Sequence, residues 1–121
     1  MLRNKLIGTW SLSDFRFTDA EGNPGDQGDA PTMGRIEYTP DGYMATATRQ
    51  SDGSYFSYFG AFQIQGDKVF HNISLSANQS LEGTTTVREI SFEGDKLVLT
   101  ASPPVMGGPG SKASLVWERL S

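Results

Sequence analysis

Gln65-Gly66-Asp67-Lys68 and Glu93-Gly94-Asp95-Lys96 are near-copies of one another, and each separates two stretches in which apolar and polar residues alternate. Alternation of period two marks a strand with one face buried, and Gly-Asp between two such strands is a two-residue hairpin loop with Gly at the position that needs positive φ. Thr39-Pro40-Asp41-Gly42-Tyr43 is the three-residue version, a type I turn closed by a Gly bulge. No stretch sustains a helical apolar period. About eight strands are expected, over 8–17, 34–39, 43–50, 56–65, 68–76, 84–93, 96–102 and 112–119. The tight turns join strands 2–3, 4–5 and 6–7, whereas 18–33, 51–55, 77–83 and 103–111 are longer. In a meander, alternate connections lie at the same end, so the pattern predicts one closed end and one open mouth.

The turns also set the register. Centring a hairpin on Gly66-Asp67 places Ile64 opposite Val69, Phe62 opposite His71, Gly60 opposite Ile73 and Tyr58 opposite Leu75. Centring one on Gly94-Asp95 places Phe92 opposite Leu97, Ile90 opposite Leu99 and Arg88 opposite Ala101. Apolar residues meet in both hairpins, and a one-residue slip would turn every one of them to water. The strand 43–50 alternates too weakly for its inward face to be read. Sequential antiparallel strands favour an all-β, eight-stranded antiparallel up-and-down β-barrel, which abolishes sheet edges; a sandwich or a flattened barrel of the fatty-acid-binding type is the alternative.

Composition removes several classes of function. The chain has 121 residues and no shift in composition along them, so a single domain over 1–121 is expected. The absence of Cys rules out disulfides, thiolate nucleophiles and Cys-based metal sites, and the single His cannot supply an ordinary catalytic zinc site. A Ser nucleophile lacks its Gly-x-Ser-x-Gly setting. The carboxylates Asp19, Glu21, Asp26 and Asp29 lack calcium-loop spacing. No metal and no cofactor are therefore expected. A net charge of −4 with no basic run argues against a nucleic-acid partner. No apolar run is long enough to span a bilayer, and Gly8 and Thr9 interrupt any signal-like stretch, so a cytoplasmic monomer or homodimer is expected.

Leu6-Ile7-Gly8-Thr9-Trp10, Gly34-Arg35-Ile36-Glu37-Tyr38-Thr39-Pro40-Asp41-Gly42-Tyr43-Met44, Gly94-Asp95-Lys96-Leu97-Val98-Leu99 and Leu115-Val116-Trp117-Glu118-Arg119 together resemble the lipocalin-like domain family of small bacterial and fungal proteins. The resemblance spans nearly the whole chain and implies a lipocalin-like, calycin-type barrel. It also implies that Gly8-Thr9-Trp10 is the Gly-x-Trp signature, with Trp10 plugging the closed end; strand 8 descends to that end, and Arg119, of the parity of Leu115 and Trp117, is expected over the indole.

Several inward-parity residues are candidates for chemistry. His71 shares the face of Val69, Ile73 and Leu75, and Arg88 that of Ile90 and Phe92. Taking the centre of the 77–83 connection near residue 80 puts His71 and Arg88 at similar depth on adjacent strands. An imidazole titrates near neutrality and a guanidinium can hold an anion, so this pair is the candidate catalytic set, with His71 shuttling a proton and Arg88 stabilising an oxyanion. Tyr58 can donate to a ligand near the mouth, and Phe56, Phe62, Ile73, Leu75, Ile90 and Leu99 are expected to line the pocket. Two functions fit. One is the binding of a small apolar or amphipathic molecule; the other is a cofactor-independent isomerase or cyclase acting on a polyketide- or terpenoid-like substrate. Pro103 to Ser111 is a Gly/Pro loop at the mouth that serves as a lid or as a plain hairpin connection.

Overall fold

Each alternating stretch forms a strand. The computed structural model describes residues 2–18, 21, 30–101 and 112–121. The strands are β1 (Gly8–Thr18), β2 (Pro31–Tyr38), β3 (Tyr43–Gln50), β4 (Tyr55–Gln65), β5 (Lys68–Ser76), β6 (Thr85–Glu93), β7 (Lys96–Ala101) and β8 (Lys112–Arg119). Each pairs antiparallel with the next, and β8 returns to β1, so the sheet closes into a barrel in the order of the sequence. The three tight turns gather at one end. Gly42, Gly66 and Gly94 have φ of +99°, +63° and +61°, the conformations those turns require. The 103–111 connection, together with Asp19, Asp26 and Asp29, lies outside the described residues.

A short helix, α1 (Leu2–Leu6), closes the end with the tight turns; the sequence pattern does not announce it. Leu6 is fully buried, and the Trp10 indole N–H donates to its carbonyl at 2.9 Å. The Arg119 guanidinium lies 4.2 Å from the centre of the Trp10 ring and donates to the carbonyls of Ile7 and Lys5. The implied plug and its cationic cover are thus both in place. Gly8 makes the approach possible, because a Cβ there would fall 2.4 Å from the Arg119 guanidinium and φ is +139°. Met44, Val69, Leu97 and Trp117 pack with Trp10 and Leu6, filling this half of the interior.

The register agrees with the Gly-Asp arithmetic up to one point. Ile64 faces Val69, Phe62 faces His71 and Gly60 faces Ile73, but a β-bulge comes next: Phe59, not Tyr58, faces Leu75, and Tyr58 faces Ser76. The extra residue, Ser74, reverses the parity of the remainder of β5. Leu75 therefore points outward, 63% exposed, and is not a pocket residue as its spacing suggests. Gly60 allows the bulge: a Cβ there would sit 1.9 Å from the Asn72 carbonyl oxygen. On β3 the ambiguous alternation resolves with Met44 and Thr48 buried inside. No described helix is long and apolar enough to cross a membrane.

Candidate functional site

His71 stands at the middle of β5, between Phe62 of β4 and Thr86 of β6. It is 1% exposed. Its Nε2 lies 2.6 Å from the Tyr38 hydroxyl and its Nδ1 lies 2.8 Å from the Tyr58 hydroxyl, which in turn is 3.5 Å from Thr86 Oγ1. Tyr38 comes from β2, two strands beyond the neighbour of β5, so its bond to His71 crosses the interior. The edge of the Phe62 ring packs on Tyr38 with centroids 5.0 Å apart, and Phe56 packs on Tyr58 at 5.6 Å.

Burial decides the protonation of this chain of groups. Desolvation, helped by the nearby charge of Arg88, lowers His71 from 6.5 to about 3, so the imidazole is neutral. Desolvation also raises both phenols, Tyr38 the more strongly, so both keep their protons. A neutral imidazole has one donor and one acceptor. If Nε2 carried the proton, the buried Tyr38 hydroxyl would have no acceptor among the described residues. With the proton on Nδ1, Tyr38 donates to Nε2, Nδ1–H donates to Tyr58, and Tyr58 donates on to Thr86. Among the described residues, that tautomer alone satisfies every group.

Arg88 has the inward parity of Ile90 and is half-buried. It faces Val69, while Thr86 faces His71, so Arg88 sits one step closer to the closed end than the expected level of His71. The connection closes off-centre because β5 runs past its last pair with β6, Asn72 with Thr85, so that Leu75 and Ser76 pair with β4 alone, and Gln79–Leu81 forms a 3-10 turn. Arg88 Nη1 donates to the carbonyl of Val87 at 2.9 Å, and its side chain makes no ion pair with a described residue. Glu89, the nearest carboxylate in sequence, is exposed opposite Lys68.

Phe56, Tyr58, Phe62, Ile73, Ile90 and Leu99 all lie on the inward face, most of them buried; Leu75 does not. Tyr38 and Thr86 are not among the residues expected from the sequence. Tyr38 was legible, because Ile36 and Tyr38 alternate with the charged Arg35 and Glu37 and the Pro40-Asp41-Gly42 turn pairs Tyr38 with Met44. Thr86 had no signal apart from its parity with Arg88. A cleft of about 280 Å3 reaches Tyr58 beside Phe59, Leu75 and Ser76, just past the bulge between β4 and β5. A larger concavity of about 960 Å3 lies at the closed end against Trp10, Phe92 and Arg119, and touches neither His71 nor Arg88. Among the described residues no group of His, Asp and Glu could hold a metal ion.

A family profile described as lipocalin-like domain matches residues 47–120. Comparison with curated proteins finds no match. Among solved structures, the fold is similar to a lipocalin-like protein from Bacteroides uniformis, with a TM-score of 0.53 and 15% identity over 96% of this chain and 99% of that one. It is also similar to a de novo designed fluorescence-activating β-barrel, with a TM-score of 0.54 and 15% identity over 97% of this chain and 95% of that one. At such identities the likeness is one of fold.

Proposed function

Given that this chain belongs to the lipocalin-like domain family, we propose that its barrel binds one small, largely apolar molecule, admitted at the end where the long connections gather. The observation that carries this reading is a set of inward-facing side chains that stay partly open to water. Phe56, Thr86, Arg88 and Leu115 share the parity of buried neighbours yet are only half-buried. The closed half is packed by large side chains, whereas the inward positions towards the mouth carry small ones, among them Gly34, Thr48, Ala101 and Ala113. Small inward residues above a packed floor leave volume for a ligand.

Binding is favoured over isomerase or cyclase chemistry by the state of His71. A proton shuttle needs a free nitrogen and a pKa near the working pH. Here both nitrogens are bonded to tyrosines and the imidazole titrates near 3. The histidine is better suited to fixing Tyr58 and Thr86 as polar wall groups than to moving protons.

Titration with a neutral apolar fluorophore such as Nile red tests this. Saturable one-to-one binding is expected, weakened at least about tenfold by Thr86→Trp, which would fill the interior with an indole. Absence of saturable binding, or equal binding by the variant, would overturn it.

A further inference from the structure

Hydrogen-bond donors and charges inside the barrel do not balance. Arg88 is a permanent cation with five N–H groups, and among the described residues the Val87 carbonyl is its one hydrogen-bond partner. The carboxylates of the described strands, Asp14, Glu37, Glu89, Glu93 and Glu118, are all exposed, so none neutralises it from within. The tyrosines cannot do so either, since burial keeps both phenols protonated. A second donor is also unmet: the indole N–H of Trp117, a residue 2% exposed, has no partner among the described residues. Trp117 faces Leu97, so it shares the interior with Arg88. A buried indole N–H without an acceptor is costly, and the half-buried Arg88 guanidinium, open to water and without an ion pair among the described residues, is free to take an acceptor that arrives with something else.

We propose that the molecule held in this barrel is an amphipathic monocarboxylate, whose carboxylate pairs with Arg88 while its apolar body lies against Phe56, Ile73, Ile90, Leu99 and Leu115. This deepens the binding reading above and rests on it. One guanidinium calls for one anionic group, and its planar fork matches a carboxylate in two parallel hydrogen bonds. Thr86, on the same wall, accepts from Tyr58 and keeps its own hydroxyl proton for a further polar atom near the acid. The neutral state of His71 fits the same picture, because a second cation here would compete with Arg88 for the acid.

The test compares cis-parinaric acid with its methyl ester, titrated by fluorescence into the full chain at neutral pH. The wild type is expected to bind the acid at least about tenfold more tightly than the ester. Arg88→Met should bind both with the affinity the wild type has for the ester, and Arg88→Lys should keep part of the preference for the acid. Equal binding of acid and ester by the wild type, or an undiminished preference in Arg88→Met, would overturn the carboxylate assignment and leave apolar binding standing. Binding of neither probe would overturn both. Should Arg88→Met fail to fold, the acid-to-ester ratio of the wild type and of Arg88→Lys still decides the matter.

Discussion

The Tyr38 hydroxyl and His71 Nε2 lie 2.6 Å apart, although Tyr38 is on β2 and His71 on β5. Since β3 and β4 separate those strands in the sheet, the bond is a crossbar through the interior rather than a cross-strand pair. It fixes which nitrogen of His71 accepts. The opposite nitrogen then donates to Tyr58, which stands beside the cleft between β4 and β5.

Tyr38→Phe removes the donor and leaves a buried imidazole nitrogen without a partner. The expected loss of stability is about 1–3 kcal/mol, read by urea titration. Nitrogen chemical shifts of the wild-type ring should show the proton on Nδ1. A proton on Nε2, or a variant as stable as the wild type, would contradict the assignment.

The same burial makes stability depend on pH. In the unfolded chain His71 takes up a proton near 6.5, while in the fold it does so only near 3. Between those values the unfolded state holds more protons, so stability rises with pH there. The contribution of His71 is complete above about pH 6.5 and is lost as the pH falls, by about 1.4 kcal/mol per pH unit until the folded group titrates. His71→Gln should lack this component. Denaturant titrations at pH 7 and pH 5 should therefore show a steeper loss for the wild type than for the variant; parallel losses would contradict it.

The closed end yields a third expectation. Trp10→Ala should cost about 3–5 kcal/mol, the usual range for a large buried aromatic. Gly8→Ala should also destabilise, by about 1–3 kcal/mol, since its Cβ would meet both Arg119 and the Ser121 carbonyl. A loss below about 1 kcal/mol in Trp10→Ala would mean that the indole is not the plug.

The register past the bulge can be checked with a pair of neighbours. Ile73→Ala should cost about 2–5 kcal/mol, as an aliphatic truncation in a core does. Leu75→Ala should change stability by less than about 0.5 kcal/mol, as a surface substitution does. Equal losses would place Leu75 inside and remove the bulge.

These residues also show how far the sequence could be read. Turn chemistry and two-residue alternation carried the strand order, the closed end and most of the inward face, because both are local properties. Leu75 escaped because a bulge at Ser74 has no signal of its own there except Gly60, and what that glycine accommodates is an oxygen on another strand. The level of Arg88 escaped for a related reason: without a tight turn, the connection between β5 and β6 gives no centre from which to count. Tyr38 meets His71 only once the barrel closes, so alternation could place it inside but could not name its partner.

Methyl and amide chemical shifts recorded while a neutral apolar probe is titrated into the chain test the binding reading most directly. Changes are expected at Ile73, Ile90, Leu99 and Leu115, which face the interior, with Leu75 and Leu120 on the outer surface unmoved. Changes confined to Leu75, Phe59 or Leu120 would show that the probe sits on the outside of the barrel, and would contradict the account.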